Sequence, residues 1–301
     1  MSIAETFDLS IKLNETEGKM DDKYYFTADN KYYNYIDNES WLCLVNEMQT
    51  KYPLAYKEYS NGAGDELGIK KARKFPPKMA SYGSSSRMIY LLSRDIPDFC
   101  FEKKLPTTVG GIANMDGFLQ KDNVQFFIEA KCREPYSSKA YVIDRKYEDL
   151  YRYIDKATTI DFNCNITIID DKKMKVEFIG NKRKITSFDI KQMISHLLGI
   201  ATARLNNPTD EKIKFIYLIY NPTNITIVNS KHEKKIIEAY NNQISECNSI
   251  PFDNLFSVIL DYLDSIKSID IASKENIEVI KKAFSFELCD QFNYCNILNN
   301  F

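Results

Sequence analysis

Two acidic residues and a lysine are spaced in a way that could support hydrolytic chemistry. Glu129 and Lys131 lie one residue apart at the end of an apolar run, and Asp116 precedes Glu129 by thirteen residues. Side chains alternate between the two faces of a strand, so Glu129 and Lys131 should project to the same side. If the segment with Asp116 pairs with that strand across a short turn, its carboxylate comes close to Glu129. The sequence therefore predicts two carboxylates converging beside an ammonium group.

Such a cluster is suited to a divalent cation, because two buried acids are costly unless positive charge compensates them. Magnesium takes one or two carboxylates plus water and phosphate oxygens, and the backbone carbonyl of Ala130 could supply another ligand. Lys131 would then orient or deprotonate a water and stabilise charge on a phosphate. We therefore expect phosphodiester hydrolysis with Mg²⁺, for which Mn²⁺ can substitute. The alternative is a surface ion pair between Glu129 and Lys131, which is unusual after three large apolar residues.

The surrounding segments predict the elements that must position these residues. Ser84–Ser86 can cap a short helix that ends near Asp95. Strands are predicted at 99–105, 114–120 and 124–131, the last two joined by a polar hairpin turn. Ser187 or Asp189 can cap a helix that runs to about Leu205, and the apolar run 215–220 is typical of an interior strand. A helix at 142–156 and a hairpin of 165–169 with 175–179 are interpreted as an insertion at about 138–185.

The flanking regions are predicted to be additions to this core. Residues 1–80 contain one convincing helix, from about Glu39 to Tyr59, and a basic stretch around Pro76-Pro77 that we interpret as an exposed arm. That arm could contact phosphate or could be a solvated loop. Residues 226–301 have helical patterns and are predicted to form a helical cap or an oligomerisation layer, which leaves 81–225 as the core.

The core segments resemble the PD-(D/E)XK nuclease superfamily, in particular bacterial type II-like restriction endonucleases. The resemblance covers residues 84–222 and rests on FEKKLPTTVGGIANMDGFL, VQFFIEAKCREPY, FDIKQMISHLLGIA and FIYLIYNP. The family's aspartate falls on Asp116 and its Glu-x-Lys on Glu129 and Lys131, a glutamine on the next helix matches Gln192, and Met115 replaces a proline that is frequently absent.

The resemblance implies an α/β fold with a restriction-endonuclease-like core, in which an α-β-β-β-α-β mixed sheet is flanked by helices, with helical N- and C-terminal additions. It also implies a magnesium-dependent endonuclease that cuts double-stranded DNA, with restriction of foreign DNA as its setting and a cognate methyltransferase encoded separately. Cutting both strands requires two sites related by symmetry, so a homodimer is expected.

Several further residues are weaker candidates. Glu102 could be an extra acidic metal ligand or an exposed charge. His196 lies four residues after Gln192 and could point to the metal with it, although a histidine packed between helices is favoured. The predicted DNA-binding residues are Lys71, Arg73, Lys74, Lys78, Arg87, Arg133, Lys182 and Arg183. Solvation of loops and turns would explain these basic clusters equally well.

Composition limits the other classes of protein. The 301 residues carry a net charge of -2, so any nucleic acid must be held by locally clustered cations and a metal. Seven cysteines without a CxxC pair favour neither a disulfide framework nor a zinc site, and two histidines argue against an HNH nuclease or zinc protease. The absence of a signal peptide or a long apolar run predicts a cytoplasmic protein without membrane contact. The alternatives are a repair, recombination or defence-effector nuclease, or a noncatalytic DNA-binding protein on this fold.

Overall fold

The computed structural model describes residues 19–21, 24–26, 36, 38–62, 64–70, 77–81, 83–132, 141–157, 160–221, 231–266 and 274–299. Its helices are α1 (Asn38–Lys51), α2 (Pro53–Asn61), α3 (Ser85–Ser93), α4 (Glu148–Lys156), α5 (Ile190–Asn206), α6 (Lys231–Cys247), α7 (Phe252–Ser265), α8 (Lys274–Ala283) and α9 (Tyr294–Asn299), with short 3-10 turns at Lys78–Ala80 and Arg145–Tyr147. Its strands are β1 (Lys19–Asp21), β2 (Tyr24–Phe26), β3 (Cys100–Pro106), β4 (Ile112–Lys121), β5 (Val124–Lys131), β6 (Tyr141–Asp144), β7 (Phe162–Ile168), β8 (Lys173–Gly180), β9 (Arg183–Ile185), β10 (Lys212–Ile219) and β11 (Phe284–Asp290). Within these ranges, no helix is long and apolar enough to cross a membrane.

The main sheet has five strands in the order β11-β10-β5-β4-β3. Strands β3, β4 and β5 are antiparallel neighbours, whereas β10 runs parallel to both β5 and β11. The turn between β4 and β5 contains only Asp122 and Asn123, with φ of 48° and 62°. Two successive positive φ angles match the right-handed twist of a tight hairpin, which explains why these short polar residues stand there. The predicted mixed α/β class, hairpin and interior strand at 215–220 are confirmed.

Helices cover the main sheet on both faces. One face packs against α5 and α7 in a core that we call the α5 core, with Phe127, Leu197 and Phe215 among its members. The other face packs against α1, α2 and α3 in the α3 core, which includes Met88 and Ile128. The adjacent residues Phe127 and Ile128 belong to different cores because side chains alternate along β5. A site of polar residues must therefore lie where polar side chains interrupt the α5 core or the α3 core.

Helix α5 lies very close to the sheet because of Gly199. A Cβ added at Gly199 would lie 2.8 Å from the Cβ of Ala113 and 3.0 Å from the Cβ of Leu105, so a larger residue would push the helix away. Asp189 caps the helix by accepting the N–H of Gln192 at 3.1 Å, as predicted. The cap fixes the start of α5, and the close packing at Gly199 holds the middle of the helix against β3 and β4.

Three predictions about secondary structure were wrong. The single helix predicted from Glu39 to Tyr59 is two helices, because Pro53 has no N–H to donate and begins a new helix at α2. The helix predicted at 142–156 begins only at Glu148, after the short strand β6. The C-terminal region is not wholly helical, because β11 forms an edge of the main sheet.

The predicted insertion contains a second sheet. Strand β8 lies in its centre, with β7 along one edge and β6 and β9 along the other, all antiparallel. The predicted hairpin is confirmed as β7 and β8, both longer than expected. Apolar residues of this sheet, such as Phe162 and Phe178, join the α5 core. The insertion therefore packs onto the same core as α5.

Candidate active site

Three acidic residues form one row across β3, β4 and β5. In the pairing of β3 with β4, Phe101 faces Gly117 and Lys103 faces Met115, so Glu102 and Asp116 lie level with each other between these two pairs. The pairing of β4 with β5 continues to Gly117 and Ile128, and the next residues along the two strands are Asp116 and Glu129. Asp116 therefore stands between the other two acids. A row of carboxylates in the middle of a sheet is costly unless positive charge or protons compensate it.

Strands β3 and β4 both change face at this row. Phe101 packs in the α3 core and Leu105 in the α5 core, although a regular strand would turn both to the same side. Met115 and Leu119 of β4 are divided between the two cores in the same way. The change in β3 coincides with Glu102, whose φ is 55°, a conformation that costs a non-glycine residue on the order of 1 kcal/mol. The kink brings polar side chains to where a regular sheet would have an apolar layer.

The Asp116 side chain takes the place of a strand partner where β4 and β5 separate. Its Oδ2 accepts the backbone N–H of Ala130 at 2.8 Å. The carbonyl of a strand residue points to the same side as its N–H, so the carbonyl oxygen of Ala130 also points toward β4. The carbonyl of Lys131 points the other way and accepts the N–H of Tyr220 at 2.9 Å. The predicted backbone ligand thus lies on the Asp116 side of the strand.

Glu129 and Lys131 point to the same side of β5, toward α5. Lys131 Nζ lies 2.8 Å from Glu129 Oε1 and donates to Gln192 Oε1 at 2.7 Å. Glu129 Oε2 lies 2.9 Å from His196 Nε2. Glu129 is 1% exposed, so this cluster of charged and polar groups is desolvated.

The electrostatic balance differs among the three acids. Burial alone would raise the pKa of Glu129, but the Lys131 ammonium and His196 outweigh it and lower that pKa to about 2. Burial and the negative charge of Glu129 raise the pKa of Asp116 well above its usual range. Burial, Glu66 and Glu129 raise the pKa of Glu102 to about 7. Asp116 and Glu102 therefore favour their protonated forms, because the neighbouring cations do not compensate three carboxylates at once.

A cavity of about 450 Å³ opens beside the row. It is lined by Glu66, Lys78, Ser81, Gly83, Ser84, Ser85, Ser86, Asp116, Glu129, Ala130, Lys131 and Gln192. All four predicted catalytic residues, Asp116, Glu129, Lys131 and Gln192, are among them. Glu102 is not, although its pKa depends on the charges of Glu66 and Glu129. The four predicted catalytic residues thus line one cavity, although the first and the last, at 116 and 192, are 76 positions apart in the sequence.

Glu66 is a site residue that the sequence did not reveal. It is 8% exposed, and its Oε1 lies 3.3 Å from Lys78 Nζ. Its backbone carbonyl accepts the N–H of Met79 at 3.1 Å, which ties two loops together at the cavity. Gly62 leaves room for the Glu102 side chain, because a Cβ added at Gly62 would lie 3.0 Å from Glu102 Oε2. No periodic pattern surrounds Glu66, so nothing in the sequence pointed to it.

The oxygen donors here fit a hard divalent cation. Asp116, Glu129 and the Ala130 carbonyl offer oxygens, and the excess negative charge would be neutralised by such an ion. Among the described residues, no group of three or more His, Cys, Asp or Glu stands in the arrangement of a preformed metal site. Magnesium usually takes only one or two protein carboxylates and completes its shell with water and substrate, so it does not require one.

The predicted DNA-binding residues are scattered. Lys78 lines the cavity and its side chain is 55% exposed. Arg87 is 3% exposed, so its predicted contact with DNA is corrected: the side chain lies in the interior. Lys182 and Arg183 are exposed at a turn of the second sheet and do not line the cavity. The remaining four, Lys71, Arg73, Lys74 and Arg133, lie outside the described residues.

His196 does not pack only between helices, as the sequence favoured. It is 2% exposed and lies between α5 and β5, against Glu129 and with its ring perpendicular to that of Phe215. The spacing of four residues from Gln192 was the signal for this position, because both side chains then face the sheet.

Comparison with known proteins adds no family, since no protein-family model, curated protein or solved structure matches the chain.

Proposed function

We propose that the protein is a magnesium-dependent nuclease that hydrolyses phosphodiester bonds of DNA on a core of the PD-(D/E)XK type. The order α3, β3, β4, β5, α5, β10 supports the core, because it is helix, three antiparallel strands, helix and a parallel strand. One observation carries the function: Asp116, Glu129, Lys131 and Gln192 line one cavity where two strands separate. Resemblance and geometry therefore point to the same residues.

The side chains would divide the work. Asp116, Glu129 and the Ala130 carbonyl would hold the ion, which supplies the positive charge that polarises the phosphodiester. Lys131, fixed by Glu129 and Gln192, would orient a water and stabilise negative charge on the phosphate oxygens. The water oxygen bonds to phosphorus and gives up a proton, the bond from phosphorus to a deoxyribose oxygen breaks, and that oxygen takes up a proton, which leaves a phosphate monoester and a hydroxyl. His196 would keep the Glu129 carboxylate in place.

The biological setting of this activity is also a proposal. Restriction of foreign double-stranded DNA by a homodimer agrees with the resemblance and with the need for two active sites. A repair, recombination or defence-effector nuclease would use the same chemistry on branched or single-stranded DNA. Discrete fragments from a linear duplex would favour restriction, whereas nicking at branch points would favour the alternative.

A plasmid cleavage assay tests the chemistry. Supercoiled plasmid is incubated with Mg²⁺ and either the wild type, Asp116→Asn, Glu129→Gln or Lys131→Met. We expect each substitution to slow nicking by about 10²–10³-fold or more, because each removes a ligand or the ammonium from the reacting centre. Matched controls are Glu177→Gln and Lys184→Met, which break an exposed Glu–Lys pair of 2.9 Å on the second sheet and should leave the rate unchanged.

The outcome also separates catalysis from binding. Equal nicking by the wild type and the three site variants would mean that the activity is a contaminant or lies elsewhere. A wild type that shifts duplex DNA in a gel with Ca²⁺ but never cleaves it with Mg²⁺ or Mn²⁺ would identify a noncatalytic DNA-binding protein.

A further inference from the structure

The cavity has a second wall, at the start of α3, whose side chains are uncharged and differ in this from the acidic row. It consists of Ser81, Gly83, Ser84, Ser85 and Ser86, all of which line the cavity together with Asp116 and Glu129. Serine hydroxyls and the N–H groups at a helix start are hydrogen-bond donors, and the helix dipole places partial positive charge there. One wall of the cavity is thus anionic and the other is suited to an anion.

The cap of α3 leaves donors available. The Ser84 hydroxyl accepts the N–H of Arg87 at 3.1 Å, and the N–H of Ser84 donates to the carbonyl of Ser81 at 3.1 Å. Ser85 and Ser86 lie in the first turn of α3, so their backbone N–H groups have no acceptor within the helix. Ser85 Oγ accepts the N–H of Cys132 at 3.3 Å, so its own proton can still be donated. The residues that carry these groups are consecutive and all line the cavity.

Ser86 provides an independent indication of a ligand. Ser86 belongs to α3, is 7% exposed and lines the cavity. None of the described residues forms a hydrogen bond with its hydroxyl, and its backbone carbonyl accepts the Tyr59 hydroxyl at 3.0 Å. A hydroxyl that lines the cavity without a protein partner is satisfied from the cavity, and a ligand with acceptor oxygens can do so.

We propose that the start of α3 binds a phosphate group of the substrate, opposite the carboxylates. This inference rests on the proposed function and adds the part of the site that holds the substrate. The N–H groups of Ser85 and Ser86 and their hydroxyls donate to the phosphate oxygens, as helix starts do in other anion sites. Lys78, half exposed at the same cavity, adds a positive charge. A chain of net charge -2 thus holds a polyanion locally.

The opposite wall makes this binding depend on a cation. Glu66, Asp116 and Glu129 line the same cavity and repel a phosphate that enters alone. A divalent ion at the carboxylates reverses that repulsion, so the phosphate is held between the ion and the serines. Anion binding and cation binding should therefore strengthen each other by the same factor.

Calorimetric titration with inorganic phosphate tests the site in the full chain. Wild type, Ser85→Ala/Ser86→Ala and Ser86→Ala are titrated with and without Ca²⁺, and far-UV circular dichroism reports folding. We expect the wild type to bind phosphate more tightly with Ca²⁺, and the double variant to bind about tenfold or more weakly. If the double variant does not fold, Ser86→Ala decides. Ser85→Thr, which keeps the hydroxyl, should bind as the wild type does, and Ser257→Ala on α7 is the matched control for serine loss.

The two proposals fail in distinguishable ways. If plasmid is cleaved with Mg²⁺ but the serine variants keep the wild-type phosphate affinity and KM, the phosphate site is wrong and the nuclease stands. If no DNA is cleaved but phosphate binding still needs the serines, the anion site stands alone. Duplex oligonucleotides with and without a 5′-phosphate identify the source: an equal loss of affinity for both in the variants indicates an internal phosphate, and a loss confined to the phosphorylated duplex indicates a terminal one.

Discussion

The hairpin of β4 and β5 carries polar side chains at both ends, and the two ends are built differently. Near the turn, Arg204 of α5 donates to the carbonyls of Thr209 and Glu211 and to Gln125 Oε1, at 2.7–3.0 Å. Gln125 in turn donates to the Glu211 carboxylate at 2.7 Å. At the open end, Asp116 and its neighbours line a cavity, and the pKa of Asp116 is raised because burial and Glu129 outweigh the nearby cation.

The difference separates a structural network from a site. Around Arg204, which is 3% exposed, cation, carboxylate and amides satisfy one another, and this network holds the loop before β10 against the hairpin. Around Asp116, protein groups alone do not compensate a second carboxylate beside an open space, so the charged form of Asp116 is disfavoured. A polar cluster that needs an external partner to be stable is what a binding or catalytic centre requires.

The largest expected effect is at the turn end. Arg204→Met should destabilise the fold by about 3–5 kcal/mol, because it removes three hydrogen bonds of a buried guanidinium, and bonds to charged groups contribute on the order of 1.5–3 kcal/mol each. The rate of plasmid cleavage per folded molecule should not change. Urea unfolding and the cleavage assay measure the two quantities. An unchanged stability would contradict the structural role assigned to this network.

At the open end the expected effect is smaller and has the opposite sign. The pKa of Glu102 is raised to about 7 by burial and nearby acids, so folding favours its protonated form. That contribution is present below the unfolded pKa of about 4.3 and is lost as the pH rises through about 7. In EDTA, Glu102→Gln should therefore stabilise the protein by ~1–3 kcal/mol at pH 8 relative to its effect at pH 4.5.

Urea unfolding at the two pH values checks this prediction. Glu177→Gln, which removes an exposed acid whose pKa is lowered by Lys184, is the control and should show no gain at pH 8. A gain for Glu102→Gln that does not depend on pH would mean that the effect comes from packing rather than from charge.

The smallest expected effect is that of the cation itself. At ten times its dissociation constant, Mg²⁺ should stabilise the wild type by about 1.4 kcal/mol and raise the unfolding midpoint by about 2–4 °C. Asp116→Asn should lose this shift and Arg204→Met should keep it, which a thermal melt with and without EDTA measures. Equal shifts in all three proteins would indicate binding at other carboxylates.

Local patterns were sufficient for the elements around the site. Strand β5 begins and ends as predicted, because an apolar run bounded by a polar turn and a charged pair leaves little choice. The Asp189 cap fixed the start of α5, and its spacing to Gln192 brought that side chain to Lys131. These residues could be found because neighbouring strands and a capped helix transmit sequence spacing into space.

The rest depends on contacts between distant segments. Glu66 reaches the site through loops, and the burial of Arg87 follows from how α3 packs, so neither is encoded in a local period. Strand β11 did carry a signal, since Phe284, Phe286 and Leu288 alternate with more polar residues, but the helical patterns around it outweighed this. The kink at Glu102 arises from two strands together and has no signature in either.

The position of β11 also has a consequence for how the chain is made. Sixty-four residues lie between the end of β10 at Ile219 and the start of β11 at Phe284. While a ribosome synthesises them, β10 has an uncovered apolar edge that can pair with any other extended chain. Assembly in the cell therefore passes through an aggregation-prone interval, which chaperones that shield strand edges would shorten.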